Sequence, residues 1–224
     1  MESNRKWVII LMGPPGSGKD TQAELLEEEL GLHHVQTSKL IEAAFEDPNQ
    51  DPEVIKTEKD KWASGELNSR NFVNTLILQE IRKSYTEGKG IIFSGSPRDI
   101  EEVEVVGPLL GKLYGTENVK TVRISLSEEE SVKRNSHRRM CQAHRHPIPN
   151  FKEYENIMAC PKDGSPIVTR ILDNPETIKK RYQVYLAQTK PVFDFLEKIG
   201  YNILEVDGEQ PIEDIHREIL NKLW

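Results

Sequence analysis

The chain has 224 residues, of which 36% are hydrophobic and 30% charged, and a formal net charge of −7. That length suits one domain carrying insertions and is enough to bury a core, while the acidic balance argues against a general nucleic-acid binder, which needs a basic face to displace counterions. No apolar run approaches a membrane span, and the opening residues, MESNRKW, hold no secretory apolar stretch, so a cytoplasmic location without a membrane partner is the expectation.

In chain order, residues 7–12 form an apolar run with the length of a buried strand. Residues 13–22, Gly-Pro-Pro-Gly-Ser-Gly-Lys-Asp-Thr-Gln, follow it and precede a helical pattern over 18–30 that stops at Gly31. Strand, glycine-rich turn and helix in that order make a phosphate-binding loop. Gly13, Gly16 and Gly18 let backbone N–H groups turn inward around phosphate oxygens. The helix N-terminus adds a partial positive charge, and Lys19 adds a full one. The generic motif places Ser or Thr directly after the lysine; here Asp20 intervenes and Thr21 comes next. A carboxylate suits a helix N-terminus but would repel a triphosphate, so the Asp20 side chain is expected to point away from the ligand.

A short extended piece spans 34–37, and helical stretches lie near 39–45, 52–63 and 70–85. Residues 90–95 read as a buried strand ending in a turn, and 119–126 as another. Ser127 and Glu130 form a capping box for the helix that follows. Asn174 is a helix cap with Pro175 at the first helical position. Residues 201–206 are the last strand and 211–223 the last helix. Five short strands separated by helices imply parallel pairing with helices on both faces. Residues 140–169 break the rhythm: they lack a clean period and hold both cysteines of the chain.

Within that stretch, Cys141-x-x-His144 and Cys160-x-x-Asp163 are separated by 15 residues. Two short ligand pairs across a small loop are the pattern of a tetrahedral structural zinc site. His146 is an alternative to His144, and unpaired thiols or a Cys141–Cys160 disulfide are the other readings of the two cysteines. A closed four-ligand site leaves no position for catalysis, and a segment too small for a core needs such a staple.

From about residue 7 to the C-terminus the chain resembles the adenylate kinase family of nucleoside monophosphate kinases. That family's phosphate loop reads Gly-x-Pro-Gly-x-Gly-Lys-Gly-Thr-Gln, so Asp20 stands where glycine is usual. Its monophosphate-binding helix opens with Ser/Thr-Gly-Asp-x-Leu-Arg; residues 36–42 occupy that place, with Thr37 matching, Lys39 replacing the acid and Glu42 the arginine. The family's Asp-Gly-Phe-Pro-Arg appears as Ser94-Gly95-Ser96-Pro97-Arg98, and Glu102 replaces a glutamine that reads the adenine edge. Arg134 and Arg138 match the arginines at the mouth of the lid, and Arg170 and Arg181 the pair after it. Val206-Asp207-Gly208, with Gln210 and Pro211, matches the loop that lies against the adenine of ATP.

The resemblance implies an α/β P-loop NTPase three-layer fold with a five-stranded parallel sheet. It implies one kinase domain with a core over 1–36, 86–139 and 170–224, a monophosphate-binding insertion over 37–85 and a lid over 140–169. The implied activity is transfer of the terminal phosphoryl group of ATP to a nucleoside monophosphate, foremost AMP, by a monomer, with Mg²⁺ arriving on ATP and a structural Zn²⁺ in the lid. The implied ATP site comprises Gly13, Gly16, Ser17, Gly18, Lys19, Asp20, Thr21, Arg134, Arg138 and Gln210. The implied acceptor site comprises Thr37, Glu42, Gly95, Arg98, Glu102, Arg170 and Arg181.

The chemistry suits those residues. The acceptor is already an anion, so the difficulty is to bring two polyanions together in line rather than to generate a base. Lys19, Arg98, Arg134, Arg138, Arg170 and Arg181 supply the field, arginine through its planar fork. Each such contact is worth about 3–4 kcal/mol in a dry transition state. Two departures alter expectation. Ser94 adds no charge beside Mg²⁺, which predicts weaker Mg²⁺ dependence or lower turnover. An ionised Glu102 can only accept hydrogen bonds, which favours a base offering N–H groups, such as guanine. The competing readings are therefore a kinase for a non-adenine acceptor such as GMP, and a catalytically weak nucleotide-binding homologue. The retained arginines oppose the second.

Overall fold

The computed structural model describes residues 6–64, 66, 68–136, 138–143, 147–148, 154–169 and 174–224. The first half of the chain runs β1 (Val8–Met12), α1 (Lys19–Leu30), β2 (His33–Val35), α2 (Thr37–Glu46), α3 (Pro52–Ser64), α4 (Arg70–Thr86), β3 (Ile91–Phe93) and α5 (Ile100–Tyr114). Then come β4 (Val119–Ser125), α6 (Glu128–Ser136), β5 (Arg139–Cys141), β6 (Pro147–Ile148) and β7 (Ile167–Thr169). The chain closes with α7 (Pro175–Val184), a π turn (Tyr185–Thr189), α8 (Lys190–Lys198), β8 (Asn202–Asp207) and α9 (Ile212–Leu223).

β1 is apolar at all five positions and buried at all five, the signature of a central parallel strand covered on both faces. The sheet order is β2-β3-β1-β4-β8, and every pairing in it is parallel. Successive side chains of a strand point to opposite faces, so β1 feeds two cores. Val8, Ile10 and Met12 pack with Ile77 and Ile81 of α4, Val103 and Leu110 of α5, and Val192 and Leu196 of α8. Ile9 and Leu11 pack with Ala23 and Leu26 of α1 and Ile215 and Ile219 of α9. This is the three-layer α/β architecture anticipated from the sequence.

Three parts were not legible. The sequence reading places no element between 95 and 119, where α5 lies; Gly107, Pro108 and Gly111 disguise it. Those glycines are packing choices: a Cβ at residue 107 would sit 2.9 Å from Ile199 Cδ1, and one at 111 would sit 2.9 Å from the Tyr201 hydroxyl oxygen. Residues 139–169 contain a small antiparallel sheet, β6-β5-β7, whose strands are too short for a readable period. The capping box at α6 is half formed. Ser127 Oγ accepts from Glu130 N at 3.3 Å, but the Glu130 carboxylate turns to Lys133 and Arg134, and Glu209 Oε1 takes the Ser127 N–H at 3.2 Å instead. The Asn174 cap is as read, its Oδ1 accepting from Thr177 N at 2.9 Å.

Candidate functional site

β1 delivers the chain to the carboxyl edge of the sheet, where the phosphate loop wraps into α1. Gly16 and Gly18 have φ of 79° and 87°, a region that strains other residues. The loop is also pressed against its neighbours: a Cβ on Gly13 would lie 2.5 Å from Ile124 O, and one on Gly16 would lie 2.4 Å from Asn135 Nδ2. Ser131 Oγ of α6 donates to Pro15 O at 2.6 Å. Ser17 Oγ is buried with no hydrogen-bond partner among the described residues, and a buried hydroxyl without a partner is costly unless a ligand satisfies it.

Lys19 opens α1 and is half-buried. Burial pushes its ammonium below the ordinary value; Asp20 opposes that, and the charges of Arg98, Arg181 and Arg138 push it further down. Positive charges from the turn after β3, from α7 and from the segment just after α6 are therefore felt at Lys19, on the phosphate loop. Asp20 itself is exposed.

Arg98 is held by its root. Its N–H donates to Glu102 Oε2 at 2.8 Å, its Nε to Gly95 O at 2.6 Å, and its carbonyl accepts from Thr189 Oγ1 at 2.7 Å. Glu102 is buried. Its other oxygen accepts from the Ser96 hydroxyl, so both carboxyl oxygens serve the 96–98 turn. Burial raises its pKa, with the Ser96 and Arg98 hydrogen bonds pulling the other way. The peptide bond between Ser96 and Pro97 is cis.

Ser94 is buried, and its hydroxyl lies 2.8 Å from His34 Nε2. Gln36 Nε2 lies 3.1 Å from His34 Nδ1; an amide N–H must donate there, which leaves Nε2 as the protonated nitrogen facing Ser94. Burial holds the His34 pKa below the ordinary value, so the ring is neutral. Sequence reasoning missed His34; its one signal is a pair of polar rings, His33 and His34, in an extended run between two apolar residues, Leu32 and Val35. Next along the chain, Thr37 opens α2, and its Oγ1 is buried without a hydrogen-bond partner among the described residues. The Gln36 side chain does not cap that helix, so its N-terminus presents open N–H groups beside an unmet hydroxyl. Glu42 is exposed.

Arg134 has a tethered position. Its Nε donates to Glu130 Oε1 at 2.9 Å and its Nη1 to Gly208 O at 2.8 Å. Gly208 N in turn donates to Ser125 O at 2.8 Å. Gln210 turns onto the last helix, its Nε2 donating to Glu218 Oε2 at 2.6 Å and to Asp207 O at 3.2 Å. Arg170, His144 and His146 lie outside the described residues.

In the small sheet, Cys141 and Cys160 are buried and are not joined in a disulfide. Their sulfurs and a carboxyl oxygen of Asp163 all lie within 4.8 Å of one another, and Cys141 Sγ donates to Asp163 Oδ2 at 3.3 Å. Residues 160–165 form a tight turn: Gly164 N donates to Cys160 O at 2.8 Å, with Gly164 at φ 71°. Ser165 N donates to Asp163 Oδ1 at 2.8 Å. Ile148, Tyr154, Ile157 and Ile167 enclose the thiols.

Among the described residues, no helix is long and apolar enough to cross a membrane. Comparison with known proteins gives a consistent answer. The family model described as "Adenylate kinase" matches residues 11–201. A protein named adenylate kinase from Petrotoga mobilis is 31% identical over 223 residues, covering 96% of each chain. One from Staphylococcus aureus is 31% identical over 219 residues, covering 96% of this chain and 98% of the relative. One from Bacillus velezensis is 29% identical over 214 residues, covering 94% and 95%.

Proposed function

Because the chain belongs to the adenylate kinase family, we propose that its site transfers the terminal phosphoryl group of ATP to AMP, yielding two ADP. The observation that carries this reading is the phosphate loop at the head of α1, with its partnerless buried Ser17 hydroxyl among the described residues; the charges of Arg98, Arg138 and Arg181 felt at Lys19 support it, since such cations repel one another until polyanions join them. The phosphate-loop N–H groups, Ser17, Thr21 and Lys19 would hold the donor's β and γ phosphates. The α2 N-terminus, Thr37 and Arg98 would hold the acceptor phosphate. Arg138, Arg181 and Arg170 would meet charge that spreads over the transferring group. Arg134 and the 207–210 loop, Gln210 included, would shape the place of the donor base, Arg134 by gripping the Gly208 carbonyl.

Mg²⁺ arriving on ATP supplies charge neutralisation of the donor phosphates. Ser94 provides a hydroxyl, already engaged with His34, where the family carries an acid. For the acceptor, both Glu102 oxygens are taken by the 96–98 turn, which removes the feature that favoured guanine and supports AMP. Zinc fits Cys141, Cys160 and Asp163: two buried thiols and a carboxyl converging on a tight turn are a soft, compact donor set, with His144 as the fourth ligand. The metal would be structural, bracing a lid over 140–169 that excludes water during transfer, while 37–85 would close on the acceptor. We read the protein as a cytoplasmic monomer without nucleic-acid or membrane partners.

A coupled assay across AMP, GMP, CMP and UMP, with zinc measured on the same sample, tests this. The expected outcome is preference for AMP, about one zinc per chain, and a loss of about 10²–10³ in turnover for Arg98→Ala. Faster turnover with another monophosphate, or nucleotide binding without turnover, would overturn the activity. Metal-free protein with full stability would overturn the zinc site.

A further inference from the structure

Residues 175–198 are helical throughout, interrupted only by the π turn Tyr185–Thr189. A π turn inserts one residue into the α-helical count and is frequent at functional sites. Arg181 and Thr189 are eight positions apart. On an uninterrupted α-helix they would differ by about 80° around the axis; with one residue absorbed by the π turn the offset falls to about 20°. By this count the turn moves the two positions toward one face. On that face the Thr189 hydroxyl donates to the Arg98 carbonyl at 2.7 Å, a contact spanning 91 positions. The charges of Arg98 and Arg181 both lower the Lys19 pKa.

We propose that Thr189 is a positioning residue for the acceptor site. Its hydroxyl locks the backbone of Arg98 to the helix that carries Arg181, and the π turn is what allows one helix to bear both. This rests on reading Arg98 as the grip on the acceptor phosphate. Arg98 is exposed, and a long side chain whose root is fixed loses less freedom on meeting its ligand. Glu102 fixes the Arg98 N–H and Gly95 its Nε, which leaves the carbonyl side to Thr189.

The test is Thr189→Val, which keeps the branched shape and removes the donor, alongside Thr189→Ser and Arg98→Ala. Thr189→Val is expected to raise the KM for AMP and lower kcat/KM for AMP by about tenfold, the scale of one lost hydrogen bond, with the KM for ATP unmoved. Thr189→Ser should recover most of the loss. The double variant Thr189→Val/Arg98→Ala should be no worse than Arg98→Ala alone, since the hydroxyl acts through Arg98. If Arg98→Ala leaves the KM for AMP unchanged, the reading of Arg98 fails. If Arg98→Ala is impaired and Thr189→Val behaves as wild type, the proposal fails. It fails also if Thr189→Val shifts both KM values together with a lowered melting temperature, because that is a purely structural role.

Discussion

Glu102 shows how far a single residue can depart from what its place in a motif suggests. Read from sequence, it faces a base; in the fold it is buried beneath the 96–98 turn. Burial raises its folded-state pKa, so the folded protein keeps this proton over a pH range where the unfolded chain has released it. The associated stability is then fullest below the ordinary glutamate value of 4.5 and is lost as pH rises through the raised one. Glu102→Gln has no such equilibrium, and its amide can accept from the Arg98 N–H while donating to the Ser96 hydroxyl. Denaturant titrations of the two proteins at several pH values should show Glu102→Gln gaining on wild type as pH rises from acid to neutral. A constant gap would mean that the Glu102 pKa is the same in the folded and unfolded chain, and the opposite trend that burial does not raise it. The phosphate loop, by contrast, was legible because its chemistry is contiguous: Gly13 to Thr21 act through neighbouring backbone. The His34–Ser94 pair was not, because the two residues are 60 apart and meet only once β2 and β3 are side by side.

At the level of elements, α6 is fastened at both ends to the loop 207–210. Glu209 accepts from the Ser127 N–H and, at 2.6 Å, from its hydroxyl, and those bonds pull the Glu209 pKa down. Arg134 holds Gly208 O from the other side. Glu209→Ala should therefore both weaken the α6 N-terminus, as a lost cap does, and loosen the loop proposed to lie on the donor base. A several-fold rise in the KM for ATP, with the KM for AMP unaffected, is the expected kinetic result; an equal rise in both would count against a donor-side role. The Ser-x-x-Glu signature at 127–130 was visible in sequence, yet the residue that completes the cap comes 82 positions later. Local patterns mark where a helix starts, but tertiary competitors decide which carboxylate closes it. The small sheet escaped notice for a different reason: β6 has two residues and β5 and β7 three each, below the length at which alternation can be seen.

Across the whole molecule, apolar runs announced the strands, whereas their order depends on pairings between distant segments. One tie crosses between regions of proposed separate motion. Arg70, at the start of α4, lies 3.4 Å from Asp99 and also contacts Glu101; Asp99 caps α5 and adjoins Arg98. Arg70 and Glu101 are exposed and Asp99 partly so, so the tie is weak and screened by salt. Arg70→Ala should leave the melting temperature nearly unchanged yet raise the KM for AMP about two- to threefold at low ionic strength, as an exposed pair allows. In about 1 M salt, where the Debye length is near 3 Å, wild type and variant should coincide. A difference that persists in high salt would show that the arginine acts through packing.

The docking of α6 on the phosphate loop has a mechanical meaning. Ser131 holds the Pro15 carbonyl, and Asn135 lies so near Gly16 that even a methyl group there would strike its amide. This short helix leads directly toward β5. The small sheet therefore joins the chain just after the helix that braces the phosphate loop, as a rudder joins its tiller, and Lys162 adds a second tie, 3.9 Å from Glu24 of α1. A nucleotide that tightens the loop would thus also pull on the helix from which the sheet hangs.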